Sequence, residues 1–97
     1  MYYVIKKTVE YISWMKDQTA KTEQIVDKRI GNIKEHGHFG AAKDLRDGLA
    51  ELKFLSGLRI YFTIQHETEK TVILLLGGNK NGQDKDIKKA RKLVRSE

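Results

Sequence analysis

Leu58-Arg59-Ile60-Tyr61-Phe62-Thr63-Ile64-Gln65 is the stretch that decides the fold. Ile60, Phe62 and Ile64 alternate with Arg59, Tyr61 and Thr63, and an extended chain is what sends successive side chains to opposite sides. The same period of two runs just upstream. Ala50, Leu52 and Phe54 share one side, Glu51 and Lys53 the other, and Ser56-Gly57 supplies the turn between the two strands. Downstream, His66 to Lys70 is a polar connection of hairpin length. Thr71 to Leu76 then follows, apolar on both sides, which predicts the central, most buried strand. Gly77-Gly78 is read as its end. Three antiparallel strands in succession are expected.

Outward from this meander the period changes. Tyr2 to Thr8 reads as a short first strand and Val9 to Lys16 as a helix carrying Val9, Ile12 and Trp14-Met15. Asp17-Gln18-Thr19 can break and recap the chain, because Asp and Thr side chains accept from the free N–H groups of a helix start. Val26, Ile30 and Ile33 fall at i, i+4 and i+7, predicting a second helix that Gly37 stops. His36 to Gly48 reads as an ordered loop with one extended piece. After the Asn81-Gly82 turn, Gln83 or Asp84 caps a last helix with Ile87, Ala90 and Val94 on one side. The expected fold class is α+β: an N-terminal strand and helical hairpin packed on a small antiparallel sheet, with a C-terminal basic helix, in a single domain over 1–97.

Composition narrows the function. The 97 residues hold 19 Lys and Arg against 13 Asp and Glu, a net charge of +6, with 39% hydrophobic residues and no cysteine. Disulfide frameworks and thiolate chemistry are excluded, which fits a reducing, cytoplasmic compartment. No run of 18 apolar residues exists, and Met1 to Lys7 is too short and too soon charged for a signal peptide, so no membrane partner is expected. His36 and His38 flank Gly37 without a carboxylate or cysteine at ligand spacing, so no metal site is expected. Gly77 to Gly82 lacks the spacing of a nucleotide-binding P-loop. Seven basic and three acidic residues lie between Lys80 and Glu97, a surplus of four. Nucleic acid is the first partner that such a distribution suggests.

The strand alternation adds a place for that partner. With Leu52, Phe54, Ile60, Phe62 and Ile64 against the helices, Glu51, Lys53, Arg59 and Tyr61 share the opposite face, within reach of Lys80. A phosphate-binding cleft and a salt-bridged sheet face both satisfy this pattern.

Gly57-Leu58-Arg59-Ile60-Tyr61-Phe62, Leu74-Leu75-Leu76-Gly77-Gly78-Asn79-Lys80 and Gln83-Asp84-x-Asp86-Ile87-x-x-Ala90 stand in order along the chain. With Lys43-Asp44-Leu45, Gly48-Leu49-x-Glu51-Leu52-Lys53, the Trp14 region, Asp17 and Arg29-Ile30, they resemble the RelE/HigB toxin superfamily. The branch they look like is that of the phage-derived, Gp49-like addiction module killer proteins. The resemblance implies the toxin of a type II toxin–antitoxin system, a metal-independent, ribosome-dependent mRNA endonuclease without cofactor. It implies a cognate antitoxin, HigA-like with a helix-turn-helix domain and encoded adjacently, through which alone the toxin meets operator DNA. A ParE-like inhibitor of DNA gyrase on the same fold is the alternative.

In such a nuclease the RNA 2′-OH attacks the adjacent phosphorus. The residues expected to serve it are Arg59, Lys80 and Lys53 on the phosphate, with Glu51 as a base and Tyr61 or Lys80 as proton donors. Arg46, Lys85, Lys88, Arg91 and Lys92 are expected to grip RNA or ribosome phosphates. Many relatives carry Asp at the place of Asn79 and Arg at that of Lys53, and several use a His or Tyr near the C-terminus, where this chain has neither after His66.

Overall fold

The computed structural model describes residues 1–66 and 68–96; Glu67, in the expected 66–70 connection, and Glu97, counted in the basic tail, lie outside the described residues. The elements run β1 (Val4–Lys7), α1 (Val9–Lys16), α2 (Ala20–His36), β2 (Ala42–Asp44), β3 (Ala50–Lys53), β4 (Leu58–Gln65), β5 (Thr71–Asn79) and α3 (Gln83–Ser96). A 3-10 turn, Lys80–Gly82, joins β5 to α3.

Local chemistry accounts for the helix ends. Thr8 falls outside β1 because it caps α1: its Oγ1 accepts from the Tyr11 N–H at 3.0 Å and donates to the Leu75 carbonyl at 2.6 Å. One hydroxyl thus starts a helix and pins it to β5. Thr19 caps α2 in the same way through the Thr22 N–H. Gly37 closes α2 at φ 70°, a left-handed position that glycine occupies without strain, and its N–H returns to the Asn32 and Ile33 carbonyls.

The five strands form one sheet in the order β1-β5-β4-β3-β2. β2 is the extended piece expected in the loop. β3, β4 and β5 pair antiparallel, but β1 lies parallel to β5, with Val4 opposite Thr71 and Lys7 opposite Leu74. The sheet is therefore mixed, and not wholly antiparallel as the sequence suggests. The two helices between β1 and the meander carry the chain back across the sheet, and that crossover fixes the direction of β1.

Helices cover both sides. Val26 and Ile33 of α2 and Tyr11 of α1 pack on Leu52, Ile60, Phe62, Val72 and Leu74. On the other side Ile87, Ala90, Leu93 and Val94 of α3 meet Leu49, Tyr61, Ile73, Leu75 and Leu76. A fully buried leucine such as Leu75 contributes about 1.5–3 kcal/mol through its removal from water. Leu75 and Leu76 face the same way because the register slips: Tyr61 pairs with Leu76 while the next residue, Phe62, pairs with Leu74. This bulge sets the phase of the strand's last part.

Gly77 and Gly78 belong to β5 and do not end it. They are there for room, since a Cβ on Gly77 would overlap the Trp14 indole and one on Gly78 would overlap the Asp86 carboxylate. Half-buried Trp14 thus anchors α1 on the sheet. Arg29 ties α2 to the sheet edge. Its guanidinium donates to the carbonyls of Phe39 at 3.2 Å, Ala41 at 3.3 Å and Lys53 at 2.9 Å while stacking 4.2 Å from the Phe54 ring centre. No helix among the described residues is long and apolar enough to cross a membrane.

Candidate functional site

Lys53, Arg59 and Lys80 converge on one end of the sheet. Lys53 ends β3 and sits directly across from Arg59, the second residue of β4. On its other side Arg59 pairs with Gly78 of β5. Lys80 follows two residues later; its N–H donates to the Gly57 carbonyl at 2.8 Å, and its stem crosses Gly57, whose added Cβ would lie 3.4 Å from Cγ and Cδ. Gly57 is left-handed at φ 87°, so the turn that delivers Arg59 also makes room for Lys80. Lys80 is exposed, while Lys53 and Arg59 are half-buried. The Arg59 Nη1 donates to the Leu58 carbonyl at 3.0 Å, whereas its Nε is buried without a hydrogen-bond partner.

Glu51 and Tyr61 lie on the same side of the sheet but under α3. They are cross-strand partners, and both are fully buried. Gln83, the first residue of α3, clasps the carboxylate: its Nε2 donates to Oε1 at 3.0 Å and to Oε2 at 2.8 Å. The Tyr61 hydroxyl is buried without a partner. Burial, followed by the Glu51 and Asp86 carboxylates, pushes the phenol up to about 12, with Arg59 pulling the other way. The shared face is legible from the alternation. Its coverage is not, because only the docking of α3 closes it over Glu51 and Tyr61.

Two residues escape a reading of the sequence alone. There Gln83 is only a cap, and Asp86 only one position of the Gln83-Asp84-x-Asp86-Ile87 motif. Asp86 is half-buried over Gly78, with Oδ2 placed 3.5 Å from where a Gly82 Cβ would stand. Burial raises its carboxyl above the ordinary range, against the lowering pull of Lys89 and Lys85. The glycine pair is the available signal, since glycines at 78 and 82 leave a hollow that the carboxylate fills.

The basic helix divides in use. Lys85, Lys88 and Lys92 are exposed along α3. Arg91 instead turns inward and donates to the Leu45 carbonyl at 2.7 Å and the Arg46 carbonyl at 3.2 Å. It braces a strained connection, for Arg46 and Asp47 are left-handed at φ 75° and 56°. Arg46 is exposed but stands at the opposite end of β3 from Lys53, away from the Arg59–Lys80 cluster.

No protein-family model matches the chain. It is 35% identical over 91 residues to an uncharacterized protein of Haemophilus influenzae, an alignment covering 93% of this chain and 91% of that protein. Among solved structures it is similar to a mutant of the E. coli toxin RelE in the free state. The TM-score is 0.78 at 14% identity, over 97% of this chain and 99% of that one. It is similar also to the intact E. coli RelBE toxin–antitoxin complex, with a TM-score of 0.67, 16% identity and coverage of 79% and 95%. For the RelBE2 toxin–antitoxin complex of Mycobacterium tuberculosis the values are 0.66, 17%, 81% and 99%.

Proposed function

The chain belongs to one family with the H. influenzae protein and is built on the RelE toxin fold, and from that premise we propose that it is a type II toxin, a ribosome-dependent endonuclease of translated mRNA. The observation that carries this reading is the convergence of Lys53, Arg59 and Lys80 at one end of the sheet, beside the exposed lysines of α3. Three cations at one end of the sheet suit the phosphate at which an RNA 2′-OH attacks, because charge grows on the phosphoryl oxygens in the transition state. The planar Arg59 guanidinium is the group of the three that can present parallel N–H donors to such a phosphate. Lys85, Lys88 and Lys92 extend the positive surface along the strand that carries that phosphate. Tyr61, protonated at physiological pH, forms a buried, uncharged floor next to Arg59. The partner is a cognate antitoxin, encoded adjacently with a helix-turn-helix domain and acidic where it covers the cations.

Inducing the protein and mapping transcript 5′ ends tests the reading. Cuts within translated codons, lost when initiation is blocked and lost in Arg59→Ala and Lys80→Ala, are expected. Intact mRNA with relaxed or linearised plasmid would overturn it in favour of gyrase inhibition.

A further inference from the structure

The cationic cluster can hold a phosphate, but neither Glu51 nor Tyr61 nor a described histidine is placed to receive the proton of the attacking 2′-OH. Glu51 is fully buried, and both of its oxygens are taken by Gln83. The Tyr61 phenol stays protonated through the neutral range. His36, His38 and His66 lie outside the elements that form the cluster.

We propose that Asp86 is the general base of this site, a catalytic residue held in the hollow between Gly78 and Gly82; the assignment rests on the nuclease reading above. Three observations carry it. First, the carboxylate overlies Gly78, the β5 residue paired with Arg59, and Tyr61 feels the charges of both Asp86 and Arg59. Second, the Lys80–Gly82 turn leads on from Gly78, so the Lys80 backbone borders the same hollow while its side chain runs over Gly57. Third, the clasp of Gln83 on Glu51 fixes the first turn of α3, and Asp86, three residues on, shares that side of the helix. Gln83 is in this view a positioning residue: it acts on Asp86 through the helix and touches no substrate.

The groups facing Asp86 are Tyr61 from the sheet, which also lies next to Arg59 and Glu51, and Lys89 and Lys85 from its own helix. Partial burial weakens the hydration of the carboxylate and so strengthens it as a base, against the lowering pull of Lys89 and Lys85. In the step itself the 2′ oxygen bonds to phosphorus and its proton passes to the Asp86 carboxylate. The bond from phosphorus to the 5′ oxygen breaks, and that oxygen takes a proton from the Lys80 ammonium. The products are a 2′,3′-cyclic phosphate and a 5′-hydroxyl. Exchange with water removes the proton from Asp86 and restores the one on Lys80.

Single-turnover cleavage of mRNA on programmed ribosomes, read against pH, tests this. Asp86→Asn should lose about 100-fold or more of the rate, with ribosome binding and urea stability retained. The wild-type profile should rise with an apparent pKa above the ordinary aspartate range, and the variant should lose that limb. Asp86→Glu, which keeps a carboxylate, should retain a rising limb at a reduced rate. Asp84→Asn, on the exposed side of the same helical turn, is the control expected to cleave like wild type. An Asp86→Asn protein that cleaves as fast as wild type overturns the assignment and leaves the nuclease reading intact. So does a loss matched by equal loss of binding or folding, or one that Asp86→Glu does not relieve. A wild-type protein that cuts no RNA on or off the ribosome overturns the parent reading, and the assignment with it.

Discussion

Trp14 and Gly77 are fitted to each other: the indole of α1 lies on the bare Cα of β5, where a methyl group would overlap its Cδ2, Cε2 and Cε3. This packing seats the helical hairpin on the sheet that carries Arg59. It also explains why Gly77 continues a strand instead of ending it.

Gly77→Ala should therefore destabilise the protein by about 3 kcal/mol, the upper range for overpacking a rigid core. Trp14→Leu should make the same alanine nearly harmless. A double-mutant cycle in urea should return a coupling of about 1–3 kcal/mol between the two positions. Additive effects would show that the indole yields.

Arg91 should behave unlike the lysines around it. Arg91→Ala removes two charge-assisted hydrogen bonds to the Leu45 and Arg46 carbonyls, and should cost about 2 kcal/mol of stability. Lys88→Ala should stay within about 0.5 kcal/mol of wild type, as an exposed substitution. Equal urea midpoints for the two variants would show that the Arg91 bonds do not brace the 45–47 connection.

Tyr61 gives a pH signature. Its folded value, about 12, lies above the ordinary 10, so the buried phenol's contribution to stability is complete below pH 10 and is lost as pH rises through about 12. Tyr61→Phe should flatten this alkaline loss. At neutral pH it should cost little stability, since the hydroxyl it deletes is buried without a partner. Tyr11, raised further by burial and by Asp27 and Glu23, should preserve a residual decline in the variant. Unfolding midpoints across the alkaline range check both statements.

The α3 lysines should act through salt. Replacing Lys85, Lys88 and Lys92 by alanine should weaken binding to single-stranded RNA uniformly across sequences. It should flatten the slope of log affinity against log salt by about 0.7 for each phosphate that is no longer neutralised. An unchanged slope would remove this face of the helix from the RNA interface.

Most elements are legible in the sequence because local chemistry specifies them. α1 spans the residues that the apolar spacing indicates, and Gly37 stops α2 for the reason its position suggests. The alternation in β3 and β4 sorts Leu52, Ile60 and Phe62 from Glu51, Arg59 and Tyr61 onto the correct sides of the sheet. Misreadings arise where a side chain's surroundings come from distant segments. Gly77-Gly78 reads as a breaker until Trp14 and Asp86 are seen to need the space. Glu51 and Tyr61 read as surface groups until α3 docks over them. The parallel course of β1 has no local signal, since it follows from the path of the helical hairpin.

The bond from Thr8 to the Leu75 carbonyl spans 67 residues of chain. A ribosome adding about 5–20 residues per second takes roughly 3–13 s to cover that interval. Throughout it β1 has been made while its neighbour in the sheet has not. Lys80 and α3 are made later still. A nascent copy thus has neither a closed sheet nor its cationic cluster while most of its own message is being read, and the order of synthesis delays the site until after the strand that holds it.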